Sequence, residues 1–283
     1  MDPSPWREWA AADAVTRLAP PGPRDDKYSR GVLGVVTGSH DYPGAAVLGV
    51  EAASRSGVGM VRYIGPRDVA AAVLARRPET VIGEGRVQAW LLGSGMNPER
   101  RSFVLSGDLQ HALASGVPVV LDAGALDLVG SHRGPTVITP HAGELARLLT
   151  LREVDVDVEA IVADRSGWAE RAAHELGVAV LLKGAVTHVC DPEGRRYTIT
   201  AATHRLATAG SGDVLAGILG ALAAVAHADL DVEAGTLTAV AATAAFVHAE
   251  AARRATEAVD GGPVTALDIA EAVPAVVGAL GQA

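Results

Sequence analysis

Residues 31–57 read GVLGVVTGSHDYPGAAVLGVEAASRSG, and they decide the fold class. The first eight are a β-branched-rich apolar run ending in glycine, the pattern of a buried strand. From Gly44 the apolar residues recur at helical spacing, and the run stops at Gly57, a helix-ending residue type. The alternation then repeats down the chain. MVRYIG (60–65), QAWLLGSG (88–95), VPVVLDAG (117–124), PTVITP (135–140) and GVAVLLKG (177–184) are further short apolar runs, each closed by Gly or Pro. Helical stretches lie between them, among them RSFVLSGDLQHALASG, AGELARLL and SGWAERAAHELG. VTHVCDPEGRRYTIT (186–200) reads as a hairpin turning at Asp191–Gly194. Beyond residue 213 the pattern is helical over 213–226, 233–258 and 265–280. At the other end, residues 6–18 are expected to form a short helix and the Pro-rich APPGPRDD (19–26) a lead-in.

Short, fully apolar strands alternating with helices predict an α/β fold with a mostly parallel sheet covered on both faces. One domain is expected over 1–283, since no repeat or linker interrupts the pattern. Functional loops then belong at the carboxyl ends of the strands, just after residues 37, 92, 122, 139 and 182.

Composition narrows the classes. The chain is 49% hydrophobic with 32 glycines, which fits a packed, loop-connected globule. A formal net charge of -9 argues against coating nucleic acid or an anionic membrane, though not against a local pocket for a small anion. The single cysteine, Cys190, excludes an intrachain disulfide and a cysteine-based zinc site, and fits a reducing compartment. No signal-like segment and no run of 18 uncharged apolar residues is seen, so the expected location is cytoplasmic. Of the 24 basic residues only Lys27 and Lys183 are lysines. In a chain so biased to arginine, a lysine marks a place where a compact ammonium matters.

The strand ends carry the candidate chemistry, each with a plain alternative. TGSHDYPGAA (37–46) is a loop a ligand can approach closely, or an ordinary βα turn, with His40 and Tyr42 as surface residues. Gly93-Ser94-Gly95 implies backbone in tight contact with something bulky, or a turn. Asp122 serves a metal or a phosphate-bound water, or caps a helix. In TPHAGELARLL, Pro140 fits a first helical turn with Thr139 as cap, and His141 and Glu144 lie three apart near the helix start. Lys183 ends the apolar run VAVLL, where an unpaired ammonium is expensive, so an anionic ligand or a neighbouring carboxylate must meet it. In LATAGSGDVLAG (206–217), Gly210-Ser211-Gly212 can turn successive N–H groups into one concavity at a helix start, a fit for phosphate. Asp213 is then a base, a cation holder or a helix cap.

These segments in order (TGSHDYPGAA, LLGSG, LDAGAL, TPHAGELARLL, LLKGAVT and LATAGSGDVLAGILGAL) resemble the ADP-dependent NAD(P)H-hydrate dehydratases over roughly 27–280. The resemblance implies a ribokinase-like three-layer α/β/α sandwich. It also implies repair of the S epimer of hydrated NADH or NADPH, with ADP consumed to AMP and phosphate. Both lysines fall where that family commonly has lysine. By motif, Asp213 is the base toward the substrate hydroxyl, and Gly210, Ser211 and Gly212 form the anion hole. Lys183, Gly184, Ala185, Val186 and Thr187 contact ADP or AMP, and Ala45, Gly95 and His141 contact the hydrated dinucleotide. Glu144 matches the acid that organises Mg2+ through water. A homotetramer is common among such proteins, and the Ala-rich helix 235–258 is either a packing surface for it or a core helix. Two positions depart from the family pattern: Ser211 replaces a usual threonine, and Thr203 a common asparagine. With only about 30 residues before the first strand, no N-terminal epimerase domain is expected, and a separate epimerase acts upstream.

The main rival is a small-molecule kinase of the same fold, of the hydroxymethylpyrimidine or hydroxyethylthiazole kinase type, using ATP with the same Asp213. TPHAGE weighs against it, since such kinases tend to carry asparagine where His141 stands. A nucleotide sensor would not need Asp213, and a scaffold would not need glycine-rich loops at so many strand ends.

Overall fold

The computed structural model describes residues 5–18, 20–227 and 235–282. In chain order its elements are β1 (Arg7–Glu8), α1 (Ala11–Ala14), β2 (Val32–Val36), α2 (Pro43–Ser54), β3 (Met60–Tyr63), α3 (Arg67–Arg76), β4 (Val81–Ile82), β5 (Ala89–Leu92), α4 (Phe103–Ala114), β6 (Val119–Leu121), β7 (Thr136–Ile138) and α5 (Ala142–Thr150). There follow α6 (Val158–Ala163), α7 (Arg165–Leu176), β8 (Ala179–Leu182), β9 (Val186–Cys190), β10 (Arg196–Thr200), α8 (Ser211–Val225), α9 (Thr236–Glu257) and α10 (Ala266–Leu280).

All ten strands join one sheet in the order β1-β10-β9-β8-β7-β6-β5-β2-β3-β4. Every pairing is parallel except those of β9, which runs antiparallel to both β8 and β10. The expected hairpin therefore closes one side of the parallel sheet. The strands are apolar on both faces because both faces are covered. Leu33, Val35, Leu91, Val120 and Leu181 enter one core with α2, α8, α9 and α10. Val36, Trp90, Leu92, Val119, Leu121, Val180 and Leu182 enter a second core with α4, α5 and α7. Alternate residues feed opposite cores, as a pleated strand requires. The result is the three-layer α/β/α, ribokinase-like architecture.

Two helices expected from the sequence have different bounds in the structure. The helix expected over 6–18 is helical only from Ala11. Before it, Arg7–Glu8 pairs alongside β10, and buried Trp9 packs edge-on to Tyr197 at 4.6 Å between ring centroids. Covering the exposed edge of β10 outweighs local helix propensity there. The short elements α3, β4 and α6, of 10, 2 and 6 residues, have no counterpart among the sequence expectations. The helix expected over 233–258 begins at Thr236, with residues 233 and 234 outside the described residues. This α9 is buried along nearly its whole length within the chain, so its small residues serve the core and give no argument for a tetramer. Among the described residues no helix is long and apolar enough to cross a membrane.

Candidate active site

The carboxyl ends of β5, β6, β7 and β8 converge on one carboxylate. Asp122 follows β6 and is 3% exposed. Its Oδ2 accepts from Ser94 Oγ at 2.8 Å, after β5. Its Oδ1 accepts from Thr139 Oγ1 at 2.7 Å, after β7, and from Lys183 Nζ at 3.0 Å, after β8. Asp122 thus makes no helix cap, and Thr139 does not cap α5; both are committed to this buried knot. The ammonium that looked expensive at the end of β8 is met by a carboxylate of the chain itself, and Glu144 Oε2 stands 3.7 Å away as a second. Burial works against the charged Lys183, but Asp122, Glu144 and Asp213 outweigh it and hold its pKa above the ordinary lysine value.

His141 is the residue that caps α5. Its Nδ1 accepts from Gly143 N at 3.1 Å and Glu144 N at 3.2 Å, while Glu144 Oε2 accepts from His141 N at 2.8 Å. This reciprocal capping box fixes both side chains at the mouth of the site. A parallel bridge pairs His141 with Lys183, so the two lie side by side at neighbouring strand ends.

The start of α8 completes the site. Gly210 is its N-cap in the left-handed region at φ 85°, and a Cβ there would come within 2.3 Å of Leu48 Cδ1. Only glycine satisfies both limits. No side chain caps this end; Ser211 N donates to Thr208 O at 3.3 Å, and the positive end of the helix lies at Gly210–Gly212. Gly212 lies against Lys183, whose Nζ is 3.5 Å from where a Cβ at 212 would stand. Asp213, half-buried in the first turn, faces this cluster. Burial first, then the Asp122 and Glu144 charges, push its carboxyl up to about 7, against the pull of Lys183.

A cavity of about 460 Å³ opens here, its walls including His141, Lys183, Gly184, Thr187, Ser211, Gly212 and His248. Ala185 joins its lining, but Val186 does not; it begins β9, paired with Thr200. Thr203 lines the cavity and accepts from Arg205 N at 3.2 Å, the capping acceptor that asparagine also provides. A neighbouring cavity of about 680 Å³ is lined by Glu144, Met96, Gly124 and Arg147, so α5 begins between the two. Ala45 and Gly95 line neither cavity. They pack on each other, a Cβ at Gly95 falling 2.5 Å from Ala45 Cβ, and one turn along α2 Gly49 lies against the Asp213 backbone. The bulky neighbour inferred for Gly93 and Gly95 is the chain itself.

Other candidates separate from the site. Lys27 sits before β2, at the opposite end of the strands, with Nζ over the Tyr28 ring; its ammonium has no place here, contrary to the arginine-bias inference. His40 is exposed and bonded to Asp68, as a surface residue should be. Sequence reasoning missed His248, whose only signal is a polar residue within the Ala-rich run of α9.

Among the described residues no group of three or more His, Cys, Asp or Glu side chains forms a protein-only metal site. Mg2+ is normally held by one or two carboxylates, waters and substrate phosphates, so Glu144, on the wall of the cavity of about 680 Å³, fits an ion bound through water.

Fold and site together define an α/β protein of ribokinase-like architecture, with a raised carboxyl beside a lysine and a helix N-terminus at the carboxyl ends of the strands. The sequence profile of NAD(P)H-hydrate dehydratase matches residues 33–275, and the chain belongs to that family. It is 45% identical over 226 residues to the bifunctional NAD(P)H-hydrate repair enzyme Nnr of Mycobacterium tuberculosis, covering 76% of this chain and 45% of that protein. The chain thus spans about half the length of this curated relative. It is 32% identical to the ADP-dependent (S)-NAD(P)H-hydrate dehydratase of Xanthomonas campestris, covering 75% of this chain and 78% of that one. The ADP/ATP-dependent NAD(P)H-hydrate dehydratase of Bacillus subtilis, co-crystallized with ATP/Mg2+, shares the fold at a TM-score of 0.83 and 24% identity, covering 99% of both chains.

Proposed function

We propose that the chain catalyses ADP-dependent dehydration of the S epimer of hydrated NADH or NADPH, giving NAD(P)H, AMP and phosphate. The observation that carries this is Asp213, a carboxyl pushed up to about 7 beside an uncapped helix start and a buried lysine. A carboxyl raised toward neutral pH is matched to general-base work. ADP supplies the phosphoryl group that turns a hydroxyl, a poor leaving group, into a phosphate; Mg2+, held through water by Glu144, supplies charge neutralisation there.

In this reading Asp213 takes the proton of the C6 hydroxyl as the hydroxyl oxygen bonds to the terminal phosphorus of ADP, and the bond from that phosphorus to the bridging oxygen breaks, releasing AMP. The N–H groups of Gly210 and Gly212, joined by that of Ser211 once it leaves Thr208 O, bind the phosphate oxygens. Lys183, held by Asp122, offsets the negative charge that builds at the transferring group. Gly184, Ala185 and Thr187 line the AMP side, with Val186 between them in β9, and His141 bounds the dinucleotide side, to which motif also assigns Ala45 and Gly95. The ring nitrogen then expels phosphate from C6, and loss of a C5 proton restores the dihydropyridine.

Incubation with NADHX and ADP, followed by the absorbance of the reduced nicotinamide, tests the reaction. A gain with ADP supports it. No gain with ADP or ATP, together with ATP-dependent phosphorylation of hydroxymethylpyrimidine or hydroxyethylthiazole, makes the chain a kinase instead.

A further inference from the structure

The reaction described above leaves one buried pair unused. Ser211 Oγ lies 3.1 Å from His248 Nε2, with Ser211 6% and His248 7% exposed. The pair joins the first residue of α8 to the middle of α9, and both side chains line the cavity that holds Lys183 and Gly212. Serine is not β-branched, so its χ1 is set by what it touches.

The direction of this hydrogen bond decides what the serine can offer a ligand. Burial pushes the His248 imidazole down to about 4, with the Lys183 charge adding to it, so the ring is neutral at neutral pH. A neutral imidazole has one N–H and one acceptor nitrogen. If Nε2 accepts, the only hydroxyl hydrogen of Ser211 is used on the ring, and Oγ shows the cavity lone pairs that repel an anion. If Nε2 carries the hydrogen, Oγ accepts it and its own hydrogen is free to turn into the cavity. Only the second arrangement gives an anion at the start of α8 a donor from the Ser211 side chain.

We propose that His248 is a positioning residue whose Nε2–H holds Ser211 Oγ, so that the serine hydroxyl donates to the phosphate bound at the start of α8. This rests on the placement of phosphate at Gly210–Gly212 proposed above. The histidine touches neither nucleotide nor substrate; it acts through the serine.

Nitrogen-15 NMR of the full chain reads the ring tautomer directly, and an Nε2–H tautomer is expected. Titration with AMP or inorganic phosphate, followed at the amides of 210–212, reads the anion site separately. Ser211→Ala and His248→Leu are each expected to raise KM for ADP on the order of tenfold, the scale of one hydrogen bond to a charged group. The double variant should be no worse than Ser211→Ala, and His248→Gln, which keeps an N–H donor, should recover most of the loss. An Nδ1–H tautomer, or effects that multiply in the double variant, overturns the role of His248 even if the amides shift. Amides that do not respond to either anion overturn the phosphate site and the inference with it.

Discussion

Asp213→Asn separates a strained catalytic carboxyl from an ordinary helix cap, because the two make opposite demands on stability. Asp213 has its carboxyl raised from 3.8 to about 7 in the folded chain. For an acid raised in this way, the unfolded chain ionises first as pH increases. Stability is therefore lost as pH rises from 3.8 toward 7 and stays lost above it. Linkage puts the loss at about 1.7 kcal/mol at pH 5 and about 4 kcal/mol at pH 8, as ceilings for a half-buried group. The asparagine keeps shape and cannot ionise. It should therefore stabilise the chain more at pH 8 than at pH 5, by about 2.5 kcal/mol at most, while abolishing turnover and leaving AMP binding in place. Urea unfolding of both proteins at the two pH values measures the difference. An equal or smaller gain at pH 8, or surviving turnover, refutes the reasoning.

Other perturbations test the surrounding frame. Lys183→Ala leaves Asp122 buried and unpaired, so a loss of about 3–5 kcal/mol in unfolding free energy is expected along with weakened nucleotide binding by calorimetry. Gly210→Ala must place a Cβ against Leu48 in left-handed backbone; thermal melting should show a loss on the order of 1–3 kcal/mol, and the anion site should weaken. Fully buried Glu51 is held at about 2 because Arg77, Arg76 and Arg55 outweigh its burial. Its contribution is present above pH 4.5 and lost as pH falls toward 2, so Glu51→Gln should cost up to about 3 kcal/mol at pH 7 and little near pH 2. The acid limb of kcat/KM should fall near pH 7, tenfold per pH unit below it, following ionisation of Asp213.

The strand–helix alternation was legible because each strand is apolar on both faces and each loop is closed by Gly or Pro. Those signals are local. The segments around 45, 95, 141, 183 and 210–213 were legible through their order along the chain and their positions at strand ends. What joins them was not. Asp122 and Lys183 are 61 residues apart, and Ser211 and His248 are 37 apart, so neither pairing has a sequence spacing to betray it. Asp122 was visible as a polar residue after a strand, but caps and ligands use the same residue type there. His141 displaced Thr139 as the cap because Thr139 Oγ1 is turned down to Asp122. The N-terminal strand was illegible for the same reason: two residues pair with a sheet edge 190 positions away, as Arg7 does with Tyr197.

The central claim is that Asp213, the α8 start and Lys183 serve ADP-dependent repair of a hydrated nicotinamide. The most direct measurement is the stoichiometry of one turnover, with S-epimer substrate and ADP, by phosphorus NMR and nicotinamide absorbance together. The account predicts one AMP and one phosphate for each reduced dinucleotide, and none of the three with Asp213→Asn. Reduced dinucleotide formed without AMP, or AMP and phosphate released without it, would contradict the account.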